Sequence, residues 1–161
     1  MTNIPFSAEE TLKIAIQIEE NGKEFYEGMV PEVDESPIKD LFKDLATQEV
    51  NHKNTFKEML GEAELERGED ISSLLYGELE DSYLEALADS KIFNPANENI
   101  SAAKQVGSRD EMIAIAISLE KDTILYYYEL LELAKSSDDQ ELIKQVIEEE
   151  KTHVKRLASI L

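Results

Sequence analysis

The chain repeats itself. Residues 7–60 align with residues 108–161 without a gap, at an offset of 101. Ser7 and Ser108, Glu10 and Glu111, Ala15 and Ala116, Glu19 and Glu120, and Tyr26 and Tyr127 fall in register. So do Ser36 and Ser137, Leu41 and Leu142, Glu49 and Glu150, His52 and His153, and Leu60 and Leu161. Two copies of one supersecondary unit are the simplest account of such a fixed offset.

Each copy reads as a helical hairpin. Ser7-x-x-Glu10 and Ser108-x-x-Glu111 are capping boxes, with helices running to about Val30 and Ala134. Ser36 followed by Pro37 predicts an N-cap with proline at the first helical position, and a helix to about Leu60. Ser137-x-x-Gln140 predicts the last helix, to about Leu161. In each case a side-chain oxygen can satisfy an otherwise unpaired backbone N–H. Between the copies, Gly61, Gly68 and Gly77 break the pattern. Leu74, Leu75, Leu79, Tyr83, Leu84 and Leu87 suggest one or two short amphipathic helices, and Asn94-Pro95 starts another that ends near Gly107. This segment is too long for a tight turn and too apolar for a disordered linker. The reading is therefore an all-α four-helix bundle in one domain, residues 1–161: hairpin 7–60, crossover 61–107 packed along the bundle, hairpin 108–161.

The inward stripe of each helix, spaced three and four residues apart, shows what the bundle would enclose. The stripes read Leu12, Ala15, Glu19, Gly22, Tyr26, Met29; Phe42, Leu45, Glu49, His52, Phe56, Met59; Ile113, Ala116, Glu120, Thr123, Tyr127, Leu130; and Ile143, Val146, Glu150, His153, Leu157, Ile160. Each is apolar at both ends and carries Glu at mid-height, so the antiparallel hairpins would bring four carboxylates into one layer. Like charges out of water are costly, and unaided they must take up protons. Two divalent cations would balance four carboxylates instead. His52 and His153 lie three residues after Glu49 and Glu150, on the same helix faces. A Glu from each of two helices and Glu-x-x-His from each of the other two is the di-iron or di-manganese carboxylate pattern. The chain has only two His. With Glu at about one position in six, both having Glu at minus three is roughly a one-in-forty accident. The predicted metal residues are Glu19, Glu49, His52, Glu120, Glu150 and His153, and the donor set suits iron and manganese alike.

Tyr26 and Tyr127 follow Glu19 and Glu120 by two helical turns, so each phenol can lean back toward the carboxylate layer. A tyrosine closing the core and a donor to a ligand carboxylate are both compatible with that spacing. Gly22 and Thr123 are small, which suits either room for a bound oxygen species or close helix packing. Tyr76 and Tyr128 read as packing or surface aromatics.

Composition excludes several classes. The formal net charge is -20, which disfavours nucleic acid and acidic membrane surfaces as partners. There is no Cys, so no disulfide, zinc-thiolate, iron–sulfur or rubredoxin-type centre can form within the chain. Residues 1–6 have no basic n-region and no long apolar run, so no signal peptide is expected, and no stretch suits a membrane span. The expected location is the cytoplasm.

Glu19 with Gly22-Lys-Glu-Phe-Tyr26, Glu49-x-x-His52, Glu120-Lys-Asp-Thr-Ile-Leu-Tyr-Tyr127 and Glu150-x-x-His153 together resemble the rubrerythrin branch of the ferritin-like superfamily. The resemblance covers both hairpins. It implies a bundle in which Glu49 and Glu150 bridge two irons, Glu19 and Glu120 are terminal ligands, and His52 and His153 cap one iron each. It implies a non-haem di-iron oxidoreductase acting on peroxide or O2, of peroxidase or ferroxidase type and linked to oxidative stress. The alternatives are an iron-binding or storage module without significant turnover, and a structural helical protein with a vestigial site. Two departures stand out. The chain lacks the rubredoxin portion, so a peroxidase would need an external electron donor, rubredoxin-like or other. The extra Glu that rubrerythrins carry one turn after the third-helix ligand is Thr123 here, which leads us to expect an open, nearly symmetric pair of metal positions. A homodimer is compatible with this reading.

Overall fold

The computed structural model describes residues 8–61, 96–134 and 136–161. Over these residues it is all-α. Helix α1 spans Ala8–Met29, α2 Ser36–Leu60, α3 Ala96–Gln105, α4 Arg109–Leu133 and α5 Ser137–Ala158, with a short 3-10 turn at Val30–Glu32. Hairpin α1–α2 packs beside hairpin α4–α5, α1 touching α4 and α2 touching α5, while α3 lies against α1 and α4. This is the ferritin-like four-helix bundle of two duplicated hairpins. The helix proposed after Asn94-Pro95 corresponds to α3. The other short helices, built on Leu74, Leu75, Leu79, Tyr83, Leu84 and Leu87, lie outside the described residues, as does the Ser7 cap.

The helix starts differ in detail from the sequence reading. Ser108 caps α4 as expected, its hydroxyl accepting from the Glu111 N–H at 3.2 Å. The cap of α5 is Ser136 rather than Ser137, with its hydroxyl accepting from the Asp139 N–H at 3.1 Å. Starting one residue earlier puts Asp139 at the third helical position, and the first turn carries Asp138 and Asp139, where the helix dipole favours negative charge. Helix α2 starts after an extended Glu35, and Ser36 is already helical with no side-chain cap. Pro37 has no N–H to satisfy, and the Ile38 and Lys39 N–H groups both donate to the Glu35 carbonyl. The helices also stop short of Val30, Ala134 and Leu161 by one to three residues.

Two apolar clusters fill the bundle, one at each end. Leu12, Ala15, Phe56, Tyr127, Leu130 and Ile143 form one, and Phe25, Met29, Phe42, Leu45, Ile113 and Leu157 belong to the other. Each cluster joins both hairpins, so burial of these side chains fuses the halves. Gly28 lets α3 approach α1 closely: a Cβ there would sit 2.9 Å from Ile100 Cδ1. Among the described residues no helix is long and apolar enough to cross a membrane.

Phe56→Ala removes a fully buried ring from one cluster and should cost about 3–5 kcal/mol in urea denaturation. Leu125→Ala, at a side chain 46% exposed, should stay within about 0.5 kcal/mol of the parent. Equal losses for the two would contradict this account of the core.

Candidate metal centre

Between the two apolar clusters lies a polar layer. Glu19 on α1, Glu49 and His52 on α2, Glu120 on α4, and Glu150 and His153 on α5 are all buried. Periodicity brings them there: each sits in the inward stripe of its helix at the height where the antiparallel partner carries its own Glu. The six converge as two overlapping groups, Glu19–Glu49–His52–Glu150 and Glu49–Glu120–Glu150–His153. Within each group, one donor atom per residue lies within 4.8 Å of the others. Glu49 and Glu150 are common to both. The His52 and His153 rings face each other, 5.5 Å between centroids and nearly parallel.

Both imidazoles turn Nδ1 inward. His52 Nδ1 is 3.1 Å from Glu150 Oε1 and 3.6 Å from Glu19 Oε2. His153 Nδ1 is 2.8 Å from Glu150 Oε2, 3.3 Å from Glu49 Oε1 and 3.4 Å from Glu120 Oε1. The close His153–Glu150 pair nevertheless lacks hydrogen-bond geometry: His153 Nδ1 and Glu150 Oε2 have no hydrogen-bond partner, and neither do Glu19 Oε2 and Glu49 Oε1. Buried polar atoms are normally paired. Four such atoms in one layer, three of them carboxylate oxygens and one an imidazole nitrogen, are the donors that hard or borderline divalent metals take. The residues present therefore fit a metal site.

The phenols cross between hairpins. The Tyr26 hydroxyl on α1 donates to Glu120 Oε1 on α4, and the Tyr127 hydroxyl on α4 donates to Glu19 Oε1 on α1. Each Tyr thus holds the carboxylate of the opposite repeat, and the second oxygen of Glu19 is left without a hydrogen-bond partner. Burial, then the neighbouring carboxylates, pushes both phenols well above their ordinary range, so they remain proton donors. Tyr126, which sequence reasoning passed over, is also buried, and its hydroxyl donates to the Thr11 carbonyl at 3.2 Å. Tyr128 is exposed, with Lys151 above its ring.

Gly22 has a clear steric role. A Cβ there would meet Glu49 Oε2 at 2.6 Å, so the glycine is the seat of the Glu49 carboxylate. Thr123 bonds back to the Leu119 carbonyl at 2.9 Å. Both line a cavity of about 30 Å³ bordered by Glu49, Glu120, Tyr26 and Asn99. Asn99, on α3, was not legible as a site residue because only the packing of the crossover places it there. Glu149 was missed for a similar reason: its carboxylate accepts from His52 Nε2 at 2.7 Å across the α2–α5 contact.

Without metal, protons must moderate the charge. Burial, reinforced by Glu150, raises Glu19, Glu49 and Glu120 well above the ordinary carboxylate range. Burial acts on Glu150 in the same direction, but the close approach of His153 and His52 prevails and holds it well below. Burial works against a charged His52, yet Glu150 and the other carboxylates bring it up to about 9. His153 is raised further by the same kind of partners.

A bundle that buries two overlapping carboxylate–imidazole groups defines the class of ferritin-like carboxylate proteins with a site suited to metal. Within that class, the Rubrerythrin family model matches residues 10–161, and the chain belongs to that family. A Thermotoga maritima structure described as a ferritin-like diiron-carboxylate protein is similar, with 30% identity, a TM-score of 0.70, and 96% of this chain matched to 94% of that one. A hypothetical protein from Pyrococcus furiosus shares the fold, at 18% identity and a TM-score of 0.65, with 98% of this chain matched to 90% of that one. No curated protein matches the chain.

Two tests follow. Gly22→Ala should displace the Glu49 carboxylate and lower Mn(II) affinity by at least tenfold in calorimetric titration, with helix content by circular dichroism kept. Unaltered affinity would show that Glu49 can give way at no consequence. The second concerns pH. The folded pKa of His52 is raised from 6.5 to about 9, so its stabilisation is complete below pH 6.5 and disappears as pH rises through 9. The raised Glu19, Glu49 and Glu120 act with the same sign above 4.5. The metal-free melting temperature should therefore fall between pH 6.5 and 9. Metal binding displaces these protons, so the increment from saturating Mn(II) should grow over the same window. A constant increment would mean that protons and metal do not compete for the layer.

Proposed function

We propose that the chain is a non-haem di-iron oxidoreductase that reacts with peroxide or O2. The observation that carries this reading is the pair of overlapping, buried donor groups in which four inner atoms lack hydrogen-bond partners. Glu49 and Glu150 would bridge two iron ions, because they alone belong to both groups. Glu19 and His52 would complete one position, and Glu120 and His153 the other. Manganese suits the same donors.

When bound, a reduced iron pair supplies two electrons, one from each ion. The protein's part is to bind, orient and exclude. Tyr26 and Tyr127 hold Glu120 and Glu19 by one oxygen each, which restrains both carboxylates within the layer. The apolar clusters above and below keep bulk water out. The cavity at Glu49 and Glu120, about 30 Å³, has room for about two water-sized molecules. A diatomic or peroxide-sized oxidant fits it. Thr123, whose hydroxyl bonds its own helix, offers no fifth carboxylate. With no Cys in the chain to carry a second iron centre, re-reduction falls to an external electron donor.

Metal analysis of purified protein should give about two iron ions per chain. Anaerobic Fe(II)-loaded protein mixed with O2 or hydrogen peroxide should show a single oxidation that is fast relative to steady-state turnover. Thr123→Glu should raise steady-state peroxide reduction. Glu49→Ala and Glu150→Ala should each lower metal retention more than Glu19→Ala, since each bridging residue serves both positions. Protein that holds no metal pair would overturn the reading. Protein that holds iron but does not oxidise it with either oxidant would favour an iron-binding or storage role.

A further inference from the structure

The duplication makes the six inner residues equivalent in pairs, and it also shows where equivalence stops. His52 Nε2 faces Glu149 at 2.7 Å. A carboxylate only accepts, so Nε2 carries the hydrogen, and the nitrogen that turns inward for a metal is Nδ1. Glu149 is steadied in turn by Gln145, one helical turn earlier, whose amide donates to its other oxygen at 3.3 Å. At the offset of 101, the counterparts of Glu149 and Gln145 are Gln48 and Asp44. Gln48 is uncharged. Asp44 is a carboxylate, but it is engaged by Arg156 at 2.6 Å. The imidazole of one repeat therefore rests on an anion, while the sequence position equivalent to that anion in the other repeat carries an amide, Gln48.

We propose that Glu149 is a positioning residue for His52 and makes the Glu19–Glu49–His52–Glu150 position the tighter of the two, so that divalent metal fills it first. A carboxylate on the outer nitrogen fixes ring orientation and tautomer and strengthens the inner nitrogen as a donor. Outer partners of this kind typically change metal affinity about 10–100-fold. The near-symmetry expected from the sequence thus holds for the inner residues and fails one layer out. The inference rests on the metal-binding reading above, and the experiment separates the two.

Metal-free full-length protein is titrated with Mn(II) by calorimetry, and the one-equivalent sample is examined by electron paramagnetic resonance. The parent should bind in two resolved steps, with the one-equivalent spectrum dominated by uncoupled Mn(II). Glu149→Gln keeps an acceptor but loses the charge. It should weaken the first step by about tenfold or more while leaving the second in place, so that the steps merge. Gln48→Glu should tighten the second step and also merge them. Glu149 is partly exposed, so neither substitution should change the metal-free melting temperature by more than a degree or two. If the parent binds two Mn(II) but Glu149→Gln leaves the first step unaltered, or weakens both steps equally, the assignment to Glu149 is wrong while the metal site stands. If the parent binds no Mn(II) and no Fe(II), both fall together.

Discussion

Four carboxylates held in one water-poor layer govern this molecule. Charges that close in a low-dielectric setting repel strongly. The fold therefore needs cations or protons there, and the surrounding residues are arranged accordingly. Two imidazoles stand among the carboxylates, two phenols donate to them, and a glycine leaves space for one. The apolar clusters above and below supply the stabilisation that a charged layer cannot, which is why the helices carry their polar residues at mid-height and their large aliphatic and aromatic side chains toward the ends.

Much of this was legible in the sequence because it depends on periodicity. The stripes through Glu19, Glu49, Glu120 and Glu150 follow from three-and-four spacing, and the placement of His52 and His153 follows from theirs. The offset of 101 made the architecture readable as two hairpins. Membership of the rubrerythrin family agrees with the motifs that first suggested it. Local starts were less secure: adjacent Ser136 and Ser137 compete for one cap, and the former takes it. Pro37 removes a donor, so α2 begins without the serine cap that its sequence suggested.

What periodicity does not encode is which side chains meet across helices. Gly22 looked like room for a ligand or for helix packing; it makes room for Glu49. Glu149 reads as one of many surface acids until α2 and α5 are placed side by side. Asn99 enters the cavity only through the course of the crossover. Tyr26 and Tyr127 were expected to lean toward the carboxylate layer, but their spacing from Glu19 and Glu120 within each repeat gave no sign that each would reach the carboxylate of the other.

That exchange has a consequence for the order of assembly. The two phenol–carboxylate bonds join residues 94 and 108 positions apart in the chain. A helical hairpin closes through short-range contacts, whereas these bonds need the whole crossover to have brought the halves together, and such long closures come late and carry a larger entropic penalty. Neither half can complete its own carboxylate arrangement alone. The phenol–carboxylate bonds of the centre thus require both halves to be docked.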